Sequence, residues 1–269
     1  MIIHNFSPVL VDLGIFQIKW YSLAYILGII LGWVYASHII QKTSKNENNF
    51  IQIKKTEFDD LIIYLVFGII LGGRLGYVIF YNFEYYSQNL TEILMIWHGG
   101  MSFHGGLVGV IISTIIFAKK RGDNFFKYTD IISCVAPIGI FLGRIANFIN
   151  AELYGKASTL PWAIIFPNAG NFARHPSQIY EAILEGLVLF GIINYLSIKK
   201  KLIFNTGYIS SIFLILYSIL RIISEIFREP DKHVGLFLNY FSMGTLLSLL
   251  TIIAGLFIIF FIKKNEQNI

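Results

Sequence analysis

Long apolar runs alternate with short polar connections along this chain. Seven runs approach the roughly 20 residues that a helix needs to cross a hydrocarbon layer. They cover about 20–40, 60–81, 94–118, 130–150, 178–198, 206–227 and 240–262. The runs are continuous and lack the period-two alternation of membrane β-barrel strands. The pattern therefore predicts an all-α polytopic membrane protein of seven transmembrane helices, one integral membrane domain over residues 1–269. The connection between runs 4 and 5, residues 151–177, holds Pro161, Pro167 and Pro176 and is expected to form a short irregular cap. The doubled His-Gly-Gly at 98–100 and 104–106 is a local feature, and no fold-level repeat stands out.

Composition narrows the class. Apolar residues make up 55% and charged residues 14%, where soluble domains average about 25% charged. Disorder, a coiled coil and a nucleic-acid partner are excluded on that basis. Aromatic residues, at 16%, suit a membrane interior with interfacial belts. Residues 1–18 contain no Lys or Arg, so the first run is expected to be a true span rather than a cleaved leader. The loops after runs 1, 3 and 5 and the tail carry thirteen basic residues, against five on the other side. The positive-inside rule then places the N-terminus outside and the C-terminus in the cytoplasm. The cap at 151–177 falls outside in this topology.

Three arginines remain within the apolar runs: Arg74, Arg144 and Arg221. A charge inside a span is costly and marks a functional site by default. Spans 2, 4 and 6 all run outward, and each arginine lies six or seven residues before the outer end of its span. A rise of 1.5 Å per residue puts all three roughly 9–10 Å below the outer surface. A common anionic ligand explains a common depth, and guanidinium groups grip phosphate through paired N–H donors. A phospholipid headgroup fits that position. Glu225 and Arg228 share a helix face with Arg221, so Glu225 is expected to neutralise and orient one arginine. Asn147 faces the same way as Arg144, with Asn150 and Glu152 at the external end.

Trp97–Gly106 opens run 3 with four glycines in eight residues, which lets backbone approach a ligand closely. His104 stands in that turn as a candidate general base, with Gly105 beside it and His98 a weaker candidate. His175 and Gln178, at the end of the cap, are read as caps and anchors as readily as ligand contacts. The histidines at 4, 38, 98, 104, 175 and 233 show no metal-ligand spacing, and Cys134 is the only cysteine, so metal catalysis is not expected.

Residues 143–155, Gly-Arg-Ile-Ala-Asn-Phe-Ile-Asn-Ala-Glu-Leu-Tyr-Gly, resemble the signature of the bacterial prolipoprotein diacylglyceryl transferases. Supporting blocks are Leu71–Tyr77, Gly99–Gly106, Arg174–Glu181, Arg221–Asp231 and the Trp20-Tyr21 pair, in family order over nearly the whole chain. The resemblance implies transfer of diacylglycerol from phosphatidylglycerol to the lipobox cysteine of prolipoprotein signal peptides, with a thioether formed and glycerol phosphate released. It implies a multi-pass protein of the bacterial cytoplasmic membrane, among membrane lipids, with its active site toward the outer half and no metal or cofactor. Arg144 and Arg221 are then expected to bind the phosphate and stabilise its leaving charge, and His104 to help deprotonate the thiol. Tyr21, Asn147, Glu152, Gly155 and Glu225 match positions important in the family, and Arg74 and Gly105 are read as contributing to the substrate site. Two departures stand out: His98 replaces an acidic residue, and the stretch 155–173 is short, which reduces any cap. The rival readings are a transporter for an anionic solute and a structural scaffold. Transporters often show paired broken helices in repeated halves, and the chain has one glycine-rich break without a matching half.

Overall fold

The computed structural model describes residues 2–14, 17–44, 53–230, 236–237 and 241–266. Lys45, Asp231, Lys232 and the side chain of His98, all used in the sequence reading, lie outside the described residues. Seven helices are long and apolar enough to cross a membrane: Trp20–Thr43, Lys55–Tyr81, Phe103–Arg121, Phe125–Ile149, Ser177–Lys199, Tyr208–Glu225 and Met243–Lys264. They are called spans 1 to 7 below. Their apolar surfaces are largely exposed, from Ile26 and Leu31 in span 1 to Ile253 and Phe260 in span 7. That is the surface a helix presents to lipid.

Three starts differ from expectation by five residues or more. Span 2 starts at Lys55, not near 60, with Glu57 Oε2 accepting from Lys54 N at 3.3 Å. Span 3 starts at Phe103, not near 94, because Gly99 and Gly100 take φ values of +80° and +79°. Such angles break a helix and favour glycine. Ser102 then caps the new start, its Oγ accepting from Gly105 N at 3.2 Å. Span 4 starts at Phe125, not near 130, with Asn124 Oδ1 accepting from Phe126 N at 2.9 Å.

The described chain divides into two compact units. Ile40–Thr129 forms one. In it spans 2 and 3 approach through glycines: a Cβ on Gly72 would lie 2.9 Å from Gly109 Cα, and one on Gly76 2.7 Å from Gly105 Cα. Small residues at such a crossing let backbones touch, as membrane helices commonly do. A short helix, Phe83–Gln88, and tight turns at Leu90–Leu94 and Ile96–His98 connect the two spans. Below them Arg121 pairs with Asp60 at 2.7 Å and Lys127 with Asp123 at 3.0 Å.

Met1–Ile39 and Asp130–Ile269 form the other unit. Spans 5 to 7 and most of spans 1 and 4 belong to it. Asp130 ties the start of span 6 to span 4, accepting from Gly207 N at 2.6 Å, Ser210 N at 2.7 Å and Ser210 Oγ at 2.6 Å. This satisfies N–H groups that a helix N-terminus otherwise leaves unpaired. The segment 151–177 carries two short strands, Ile164–Ile165 and Ala173–Arg174, paired antiparallel. The N-terminal strand Ile2–Ile3 adds parallel to Ile164–Ile165. His4 Nε2 donates to Phe148 O at 2.8 Å and fastens this small sheet to the end of span 4.

Candidate active site

Span 5 lies at the centre of a buried charge cluster. Pro176 precedes it, as suits a helix start, and two of its turns, Ala182–Val188 and Tyr195–Lys199, widen to π-helical geometry. Such widened turns recur at functional sites. Glu181 and Glu185, four residues apart on one face, are both fully buried. Arg144 of span 4 sends Nη1 to Glu181 Oε2 and Nη2 to Glu185 Oε2, each at 2.9 Å. Arg221 of span 6 sends Nη1 to Glu181 Oε1 at 2.9 Å and to Glu185 Oε1 at 3.5 Å. Its Nη2 lies 2.5 Å from Glu225 Oε2. Arg228 reaches Glu181 Oε1 at 3.3 Å. Ser224 Oγ donates to Glu185 Oε1 at 2.9 Å. Close to Glu225, a Cβ on Gly244 of span 7 would sit 2.9 Å from its Oε1.

The arrangement follows from electrostatics. An unpaired charge in a low-dielectric interior costs several kcal/mol, and ion pairs persist there only with good geometry and satisfied donors. Three arginines and three glutamates meet that condition together. A guanidinium has five N–H donors, so Arg144 and Arg221 are oriented by their carboxylates and still retain donors for a further anion.

A second group gathers at the C-terminal end of span 4. The turn after it carries Ala151 and Leu153, both at φ +55°. Left-handed angles at residues other than glycine cost roughly 1–3 kcal/mol and cluster at functional sites. Gln178 Nε2 donates to Glu152 O at 2.5 Å, and Ser177 Oγ to Leu153 O at 2.9 Å, which holds the turn in place. Glu152 between the two is exposed, and its Oε2 accepts from Asn147 Nδ2 at 3.4 Å. Asn147 also donates to Tyr21 Oη at 3.2 Å. Tyr21, Asn147 and Glu152, each singled out by the family resemblance, form one polar chain. Gly155 is buried where the cap meets the end of span 6: a Cβ there would lie 2.6 Å from His175 O and from Phe227 O. His175 stands against Tyr180, Nδ1 to Oη at 3.3 Å. Burial and the nearby Lys156 ammonium hold its imidazole below the ordinary histidine pKa.

The remaining predicted residues belong to the Ile40–Thr129 unit. Arg74 is buried, and its guanidinium is occupied by backbone carbonyls. Nε donates to Ile93 O at 2.9 Å, Nη2 to Glu92 O at 2.7 Å, and Nη1 to Gly99 O at 2.5 Å and Gly100 O at 3.3 Å. Arg74 fastens the glycine-rich connection, a role the common-depth argument did not anticipate. His104 is exposed on the first turn of span 3, its ring edge-on to Phe103. Gly105 is a packing residue in this unit, against Gly76 of span 2.

A family profile described as prolipoprotein diacylglyceryl transferase matches residues 8–261. Curated relatives agree. A protein of Rickettsia canadensis is 49% identical over 95% of this chain and 96% of its own length. One of Rickettsia typhi is 48% identical over 96% and 98%, and one of Rickettsia bellii 47% identical over 98% of each. All three are named phosphatidylglycerol–prolipoprotein diacylglyceryl transferase. The chain belongs to the prolipoprotein diacylglyceryl transferase family.

In this family member all three arginines of the charge cluster and Glu225 were legible in the sequence, but Glu181 and Glu185 were missed. Glu181 was read only as the last residue of a motif, and Glu185 was not singled out. The signal was available: two acidic residues four apart inside an apolar run are as costly in a membrane as an arginine. Glu225 does neutralise an arginine, as its spacing from Arg221 suggested.

Proposed function

We propose that this chain transfers the diacylglyceryl group of phosphatidylglycerol to the lipobox cysteine thiol of prolipoproteins, with Arg144 and Arg221 holding the phosphate. The carboxylate-oriented pair of guanidinium groups on spans 4 and 6 carries the reading, and family membership supplies the reaction class. The cysteine sulfur attacks the glycerol carbon next to the phosphate. A C–S bond forms, the C–O bond breaks, and its electron pair leaves with the phosphate oxygen of glycerol phosphate. The thiol proton passes to a base and then to solvent, and His104 is the residue proposed for that step.

Arg144 and Arg221 supply forked N–H donors where negative charge grows, and preorganised donors in a water-poor site lower such barriers most effectively. A thiol is mostly protonated near pH 7 and reacts as thiolate, which is why a base helps. Tyr21, Asn147, Glu152 and Gly155 are proposed to shape the headgroup end of the site, and Glu225 to orient Arg221. The loop-charge asymmetry supports an N-terminus outside and a C-terminus in the cytoplasm. In that orientation the site opens to the outer half of the bacterial cytoplasmic membrane.

The test uses the purified protein in phosphatidylglycerol nanodiscs with a lipobox peptide. The expected result is a peptide heavier by one diacylglyceryl group, with glycerol phosphate released in equal amount. A peptide of unchanged mass in phosphatidylglycerol, with the protein folded, overturns the reading.

A further inference from the structure

We propose that Glu181 and Glu185 are positioning residues that govern how long the anionic product stays on Arg144 and Arg221. The inference rests on the transfer reading above and adds a step to it, product release.

The starting observation is charge balance. Arg144, Arg221 and Arg228 face Glu181, Glu185 and Glu225 within one network of ion pairs. Glu181 is bound to all three arginines and Glu185 to two. Both carboxylates are fully buried, so neither leaves the arginines for water while the helices stay packed. Ser224 fixes Glu185 further, donating at 2.9 Å.

The chemistry gives this neutrality a purpose. The phosphodiester of the substrate lipid carries one negative charge. The departing phosphate monoester carries about −1.5 to −2 at neutral pH. Arginines without counter-charges, in a poorly screened interior, attract the product more than the substrate. They would favour the transition state and then retain what it releases. Two fixed carboxylates beside the same guanidinium groups repel the extra charge of the monoester, and that repulsion grows as the C–O bond breaks and is greatest in the product. They also keep each fork aimed, so the donors are ready for the next lipid.

Glu185→Gln and Glu181→Gln remove one charge each and keep the side-chain shape. In nanodiscs with phosphatidylglycerol and a lipobox peptide, each variant is expected to bind glycerol phosphate about tenfold more tightly or better, the least that one unscreened charge at ion-pair distance would give. KM for the lipid should not rise. kcat should fall, and rapid mixing should show a burst of thioether ahead of slow turnover. A lower kcat with unchanged inhibition by glycerol phosphate, or a raised KM, overturns the proposal and leaves the carboxylates as supports of arginine geometry alone.

Removing one partner from a buried ion network also weakens the fold, so a second readout is binding followed by thermal unfolding. Glycerol phosphate should raise the Tm of Glu185→Gln more than that of the wild type. An equal or smaller rise counts against the proposal. Wild-type protein that forms no thioether would sink the transfer reading, whereas the Tm comparison still decides whether these carboxylates set anion affinity.

Discussion

Replacing Arg74 with lysine should loosen the connection between spans 2 and 3 while leaving the charge in place. The guanidinium bridges carbonyls of Glu92, Ile93, Gly99 and Gly100, at 2.5 to 3.3 Å. It also lies 5.0 Å from the centre of the Tyr86 ring. A lysine ammonium is a point donor and cannot span carbonyls at both ends of this segment. At least two charged hydrogen bonds are lost, each worth about 1.5–3 kcal/mol. The bonds share one group and are not additive, so the lower end, about 3 kcal/mol, is the working figure. Amide hydrogen exchange over residues 90–101, measured in nanodiscs, should then quicken by about 100-fold or more. Exchange within about threefold of wild type in Arg74→Lys would refute the reasoning, because it would show that charge alone holds the segment.

Gly72→Ala should lower thermal stability by about 1–3 kcal/mol or prevent accumulation, since its Cβ would sit 2.9 Å from Gly109 Cα; Gly139→Ala, with open space around it, is the matched control and should unfold like wild type. His104→Gln should slow transfer by about 10²–10⁴-fold if the imidazole is the base, and raising the pH from about 7 to 9 should recover part of the rate as the thiol ionises by itself; rates near wild type at pH 7 would assign the proton to another group. Cysteines introduced at Asn168 and at Asn46 should label with an impermeant reagent in intact cells only at Asn168; Cys134, the one native cysteine, is fully buried and stays silent. The reverse labelling would invert the topology.

The apolar runs made the seven helices legible because a membrane span needs little else than length and hydropathy. The glycine-rich connection misled the reading of span 3. Leu94, Ile96, Trp97 and Met101 are apolar enough for a span, yet positive φ at Gly99 and Gly100 and the cap at Ser102 set the true start at Phe103. Embedded arginines were visible as charges in apolar runs, but their partners depend on which helices face one another. Arg144 and Arg221 turned out to share Glu181 and Glu185. Arg74, at a similar sequence depth, meets backbone carbonyls, and spacing along one helix cannot tell a carbonyl acceptor from a phosphate. The strained turn around Glu152 gave no signal, because Ala151 and Leu153 are not the glycine or asparagine that usually mark a left-handed angle.

Forked recognition of phosphate by Arg144 and Arg221 is the central claim. It is tested most directly by the initial rate of thioether formation in Arg144→Lys, beside wild type, under saturating peptide in phosphatidylglycerol nanodiscs. Lysine keeps the charge but cannot serve Glu181, Glu185 and a phosphate at once. The loss of one or more charge-assisted hydrogen bonds predicts a rate lower by about 10- to 150-fold, in a protein whose helices remain folded. A rate equal to wild type would contradict the claim that these arginines act through their paired donors.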